Sequence, residues 1–294
     1  MTSPGMRKQA LRTQQRAEAR RMYSDSEGHP ILRESFASYI DELGTKEAVL
    51  SMTDEDLRRN IADQDQLRSF LDPSESRLDP DHEFDEKVLT FSDNIVIGAP
   101  VMDLPEIWGD RGLFWQVSSL SMYLLNQALR KRFFRGGVAL GQLYMDHSYV
   151  AGPALIQAVL LEEKVAIFPR VVLSEDCSAL AREHLLHHSG GDSFGSPYNS
   201  CLLQDQDGLL FVNYLGALLE EEAYEDDGSI ETGLADHRDA VLARAAAAGD
   251  DPRITAKYRW LVDYHNWVAT EFYRHPEYTI DANRPGIRLL VPRP

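Results

Sequence analysis

Cysteine is nearly absent: Cys177 and Cys201 are the two that occur in 294 residues. With no CxxC spacing, they exclude a disulfide framework, a cysteine zinc site and a thiol-exchange motif, and they suit a reducing compartment. Long apolar runs are missing as well. The nearest candidate, "VAGPALIQAVLL" at 150–161, is shorter than the ~18 residues a membrane helix requires. Arg7, Lys8, Arg12, Arg16, Arg20 and Arg21 head the chain, but no apolar segment follows to make a signal peptide. A cytoplasmic protein without membrane contact is the expectation.

Positive charge is in deficit, with 30 Lys and Arg against 47 Asp and Glu, a net charge of −17. A nucleic-acid polymer is therefore not expected as a partner, because such ligands select a basic footprint. A small anion stays open, through a local cluster or a bound cation. Several motifs are lacking too: the G-x-x-x-x-G-K-[ST] phosphate loop, G-x-G-x-x-G, H-E-x-x-H and G-x-S-x-G. The glycines of "RGGVALG" read instead as positions of close backbone approach in a strand. His184, His187 and His188 in "REHLLHH" have only partial ligand spacing, so a zinc hydrolase is set aside.

What is present is a globular composition, 43% hydrophobic and 9% aromatic. "SFASYIDELG" (35–44) reads as a strand, and the segment from Thr45 to Leu71 as a capped helix. "FDEKVLTFSDNIVIGAP" reads as two strands joined by a tight turn at Asp93 and Asn94. Helix is expected at 113–133, strand in "FRGGVALGQLYMDHSYVAG" with a turn at Asp146, helix at 153–164 from Pro153, and strand at 165–174. The order β-α-β-β-α-β-α-β argues for one sheet carrying packed helices, an α/β (α+β) fold. Residues 1–30 read as a polar arm, 31–175 as the core, and 176–294 as a mostly helical C-terminal extension.

Asp93 places a carboxylate in an otherwise apolar, β-branched run, which is costly unless it is paired or bound to a cation. A turn residue, a salt-bridged structural Asp and a metal ligand are all open readings. Asp41 has the same character at the end of its own strand. If the first strand lies beside the hairpin, the two carboxylates meet at one edge of the sheet. Such a pair either raises one pKa or binds cations, and two bridged divalent ions are the arrangement used in phosphoryl transfer.

Six blocks, "FASYIDELG", "FSDNIVIG", "RGGVALGQLY", "VAGPALIQAVLLEE", "AIFPRVVLS" and "KYRWLVDY", resemble in order those of the pyrimidine nucleotide cyclases of Pycsar anti-phage systems, a divergent branch of the class III nucleotidyl cyclases. The resemblance covers roughly 35–175, with a weaker echo at 257–264. It implies the class III cyclase-like sheet, a symmetric homodimer with sites at the subunit boundary, and conversion of UTP to cyclic UMP with two Mn²⁺ (or Mg²⁺) ions per site. The product would act on a separate effector protein. Asp41 and Asp93 match the metal-binding aspartates, and the backbone carbonyl of Glu42 matches a further ligand. Cyclic CMP from CTP, or an inert nucleotide sensor, are the alternatives.

The chain departs from the adenylate and guanylate cyclase pattern in ways that matter. Ile156 and Leu160 stand where an Asn and an Arg would stabilise the transition state. Arg135, Arg170 or Lys164 are candidate substitutes, with Arg135 carried as catalytic and Arg170 as substrate-binding. The purine-selecting positions fall near Leu89 and Tyr149, which argues against ATP and GTP. Phe36, Tyr39 and Tyr149 are candidate base contacts, although core packing is the commoner fate of such aromatics.

Overall fold

A computed structural model describes residues 22–45, 50–70, 86–101, 112–146, 148–187, 196–219, 228–247, 251–280 and 288–289. Its strands are β1 (Arg33–Glu42), β2 (Lys87–Phe91), β3 (Asn94–Pro100), β4 (Phe134–Met145), β5 (Val150–Ala151), β6 (Val171–Leu173), β7 (Leu202–Gln204), β8 (Leu210–Val212) and β9 (Arg288–Leu289). Its helices are α1 (Asp54–Phe70), α2 (Leu113–Leu129), α3 (Pro153–Lys164), α4 (Glu175–His187), α5 (Tyr198–Cys201), α6 (Ser229–Ala247) and α7 (Pro252–Trp267). The fold is mixed α/β. One sheet runs β2-β3-β1-β4-β6-β8-β7-β9, with β5 paired to the far end of β4. Among the described pairings β4–β6 is parallel and the rest are antiparallel.

The period-2 alternation of β1 sorts its side chains onto two faces. Phe36 and Ile40 join Ile95, Ile97, Val138 and the inner face of α2 in the larger core, and Gln116 of α2 donates to Ser38 Oγ at 2.9 Å. Ala37, on the opposite face, packs with Val96, Leu143, Met145 and Ala154 of α3. Helix α3 comes unusually close to β4, because a Cβ on Gly137 would meet Leu161 Cβ at 2.4 Å and the Ala158 carbonyl at 2.7 Å. Gly136 and Gly137 of "RGGVALG" therefore serve close approach, as their placement suggested, whereas Gly141 keeps ordinary spacing.

Several expectations are corrected. Of the helix expected from Thr45 to Leu71, Thr45 and Leu50 are helical but the helix is interrupted at 51–53, and α1 starts at Asp54, where Thr53 and Asp56 form a reciprocal cap: Asp56 N–H donates to Thr53 Oγ1 at 3.2 Å, and Thr53 N–H to Asp56 Oδ2 at 3.0 Å. Residues 46–49 and Leu71 lie outside the described residues. The hairpin turn is Ser92–Asp93, one residue earlier than expected, and Ser92 takes the positive φ of 56° that a two-residue loop demands. Within 165–174 strand is confined to Val171–Leu173, since Pro169 offers no N–H to a ladder.

The polar arm also ends sooner than residue 30. Residues 1–21 are not described, but Met22 and Tyr23 are buried in the smaller core, where Tyr23 Oη donates to Ser35 Oγ at 3.1 Å. Nor does residue 175 divide the chain physically. The sheet continues across it through Val172 opposite Phe211, and the larger core draws on both sides.

Helices α6 and α7 are tied to each other and to Tyr214, just after β8, by a largely buried polar chain. Tyr214 Oη lies 2.8 Å from His237 Nε2, His237 Nδ1 lies 3.0 Å from His265 Nδ1, and His265 Nε2 lies 2.9 Å from the Tyr278 carbonyl. With both rings neutral, one proton arrangement satisfies all three bonds: Tyr214 donates to His237, His237 to His265, and His265 to the carbonyl. Burial holds His237 well below its ordinary value, helped by the neighbouring His265, and burial also lowers His265.

Two measurements check this architecture. Gly137→Ala should cost about 1–3 kcal/mol in urea denaturation through overpacking against α3; an unchanged midpoint would mean that α3 is not seated there. Because both histidines have depressed folded pKa values, their stability contribution is present above 6.5 and is lost as pH falls below it. The melting temperature should therefore drop through that window, and a flat profile from pH 7 to 5 would contradict the buried neutral chain.

Candidate active site at the end of the central strand

β1 is paired on both sides along most of its length, with Asp41 opposite Asn94 of β3 and Arg135 of β4. The ladder carries one step further, where Glu42 N–H donates to the Asp93 carbonyl at 3.2 Å. The strand–helix–hairpin order thus places Asp41 and Asp93 together at one end of the sheet. Burial raises the pKa of Asp41 and the Asp93 charge adds to this, while Arg135 Nη2, 3.5 Å away, opposes it. Burial would also raise Asp93, but hydrogen bonds from Thr45 and Ser92 bring it below its ordinary value.

Thr45 lies between Asp93 and the Glu42 carbonyl. Its hydroxyl donates closely to Asp93 Oδ2 and also lies 3.3 Å from the Glu42 carbonyl oxygen. One hydroxyl proton cannot serve both oxygens, so two electron-rich atoms face one shared point, which the Thr45 hydroxyl occupies. The Glu42 side chain is turned elsewhere, held by Arg132 at 2.5 Å, and so its carbonyl oxygen is the atom that faces this point. Among the described residues no group of three or more His, Cys, Asp or Glu side chains gathers to cage a metal. Two carboxylates and a carbonyl fit instead a hard divalent ion that keeps water and substrate phosphates as its other ligands.

Arg135 binds both Asp41 and Glu162 of α3, the latter at 2.5 Å, and its Nε is buried without a hydrogen-bond partner. Tyr39, on the Asp41 face, donates to Asn94 Oδ1 at 2.5 Å. Burial pushes its hydroxyl up to about 12, reinforced by Asp41, Glu162 and Asp93. Tyr39, Asp41, Asp93, Arg135 and Glu162 therefore share one electrostatic neighbourhood.

Other expected residues lie elsewhere. Phe36 is in the core at 1% exposure, so it cannot stack on a base. Arg170 is buried, and both arms of its guanidinium are closed by Asp205 and Asp207, which leaves no free charge for a substrate. Tyr149 is 61% exposed but follows the far end of β4, on the order of 30 Å from Asp41 at ~3.3 Å per residue. Ile156 and Leu160 lie on the exposed side of α3, and Lys164 at its end is also exposed. His184 is buried edge-on to Tyr198, and the side chains of His187 and His188 lie outside the described residues. Both cysteines are buried and neither forms a disulfide.

Sequence reasoning missed Thr45 in this role, Asn94, Glu162, Arg244 and Lys257. Arg244 of α6 donates to the Leu43 carbonyl at 3.2 Å, and Lys257 of α7 lies within electrostatic reach of Asp41, Glu162 and Arg135. With Arg132, these cations crowd one sheet end of a protein whose net charge is −17. No protein-family model matches the chain, and no curated protein matches it.

The raised pKa of Asp41 means that folding disfavours its ionised form, so stability falls as pH rises through the window above 3.8. Asp41→Asn should consequently melt higher than the natural chain at pH 7.5, with the gap closing as pH approaches 4. A lower melting temperature at pH 7.5 would show that the Arg135 pairing outweighs the burial and repulsion.

Proposed function

We propose that the chain is a class III-like pyrimidine nucleotide cyclase that converts UTP to 3′,5′-cyclic UMP and pyrophosphate, with CTP the alternative substrate. The observation that carries this reading is the convergence of Asp41, Asp93 and the Glu42 carbonyl at one sheet end, ringed by Arg132, Arg135 and Arg244. Carboxylates for divalent cations beside guanidinium groups for phosphate is the chemistry that a nucleoside triphosphate requires. Two Mn²⁺ or Mg²⁺ ions held by Asp41, Asp93 and the Glu42 carbonyl would supply activation of the ribose 3′-hydroxyl and neutralisation of the triphosphate.

In this reaction the ribose 3′ oxygen forms a bond to the α-phosphorus, the bond from that phosphorus to the bridging oxygen breaks, and its electron pair leaves on pyrophosphate. The hydroxyl proton passes to water. Arg135 would meet the developing phosphate charge by exchanging Asp41 and Glu162 for phosphate oxygens. Thr45 holds Asp93 ionised and oriented, while Asn94 and Tyr39 form the polar wall beside Asp41.

A homodimer, in which a second copy brings its α3 face to the aspartate pair, follows from the resemblance. A cytoplasmic setting, and a role for the product as an antiviral messenger acting on a separate effector, follow from the resemblance. Among the described residues no helix is long and apolar enough to cross a membrane. One observation favours the inert-sensor reading: Ile156 and Leu160 present hydrocarbon where the transition-state pair is expected.

The discriminating experiment incubates the purified chain with each of the four ribonucleoside triphosphates and Mn²⁺, and reads cyclic monophosphates by mass spectrometry. Cyclic UMP is expected, falling to background in Asp93→Ala. Metal-independent binding of UTP without any cyclic product would instead support the sensor.

A further inference from the structure

We propose that Glu162 of α3 is a positioning residue of the Asp41–Asp93 site: it holds the Arg135 guanidinium toward α3 and so keeps the Asp41 carboxylate open to a divalent ion. This rests on the metal-binding reading above and adds to it a residue from the helical layer.

The sheet by itself would bring Arg135 onto Asp41. The two stand directly opposite each other on β4 and β1, and side chains so placed share one face with their Cβ atoms about 4.5–5.5 Å apart. An arginine there is expected to close on the carboxylate as a two-bonded fork. It does not. Arg135 Nη2 stops 3.5 Å from Asp41 Oδ2, outside the usual range of about 2.7–3.2 Å, and comes to 2.5 Å from Glu162 Oε1. Both contacts run through the same nitrogen, and the buried Nε has no hydrogen-bond partner, so neither carboxylate takes the fork. The Glu162 contact is close but not aligned as a hydrogen bond, which makes it a charge pair.

Glu162 is built into this position. Gly137 lies two residues from Arg135 on the same face of β4, and α3 crowds it through Leu161 and the Ala158 carbonyl. Ala154, Ala158 and Glu162 are the buried residues of α3, at i, i+4 and i+8, so a single stripe of the helix faces the sheet. Packing alone would continue that stripe with another small apolar residue. A buried carboxylate is costly unless paired, and Arg135 is its ion-pair partner among the described residues.

The consequence falls on Asp41. A guanidinium forked onto that carboxylate would occupy the oxygen lone pairs that a hard cation takes. Without the Glu162 charge, Asp41 is the carboxylate left in contact with Arg135 among the described residues.

The affinity of the Mn²⁺ that Asp93→Asn removes, measured by electron paramagnetic resonance on the full-length, nucleotide-free chain at pH 7.5, tests the proposal. It is compared in the natural chain, Glu162→Gln, Arg135→Gln and the two changes together. Glu162→Gln should weaken binding roughly 10-fold, because Arg135 then closes on Asp41. In the Arg135→Gln background the same change should cost no more than about twofold, since no guanidinium is left to fall on the carboxylate. A comparable loss in both backgrounds would overturn the proposal, because Glu162 would then act through its own charge or by anchoring α3. Unchanged affinity in Glu162→Gln overturns it as well, and leaves the metal-binding reading standing. If Glu162→Gln does not fold, Glu162→Met, of similar volume, is judged by the same outcomes. If Asp93→Asn removes no Mn²⁺ from the natural chain, the metal-binding reading and the proposal fail together.

Discussion

Asp41 stands opposite Asn94 on one side and Arg135 on the other, and this register of β1 between β3 and β4 governs the rest of the site. Strand side chains alternate, so a slip of one residue would send Asp41 toward the α2 core and bring Ile40 to the polar face. The register is held from both faces: Phe36 and Ile40 are locked under α2, while Ala37 lies under α3. The glycines of β4 let α3 settle closely enough for Glu162 to reach Arg135. Apolar packing thus fixes the position of charges that repel one another.

That repulsion has an identifiable physical outlet. Two carboxylates share a sheet end, one with its pKa raised and the other held ionised by a threonine hydroxyl. Arg135 offsets part of the cost at Asp41, and Lys257 stands nearby without closing an ion pair among the described residues. The surface is strongly acidic as a whole, yet Arg132, Arg135, Arg244 and Lys257 cluster at this one place. Such a contrast leaves a local basic cluster on an otherwise acidic surface.

The sheet-and-helix architecture and the pairing of Asp41 with Asp93 were legible because both depend on local signals. Period-2 strands, Pro153 at a helix start and turn chemistry near Asp93, though expected one residue late, act within a few residues. The rest depended on contacts between distant segments. Phe36 and Tyr39 look alike as aromatics near Asp41, but strand alternation buries the first and leaves the second beside the carboxylates. Arg170 resembles a strand-end cation until Asp205 and Asp207, far along the chain, close on it. Lys257 was visible only as the first residue of "KYRWLVDY". Nothing local shows that α7 packs on α6 and contributes to the larger core, because that placement is made by contacts between distant segments.

The central claim is that Asp41 and Asp93 jointly hold divalent ions for a nucleotide. Counting Mn²⁺ bound per chain by electron paramagnetic resonance, with 3′-deoxy-UTP present to block turnover, tests it most directly. The account predicts two tightly bound ions, both lost when Asp41 and Asp93 are changed together to Asn. Retention of the same ions in that double variant would contradict it, since the binding would then belong to the acidic surface at large.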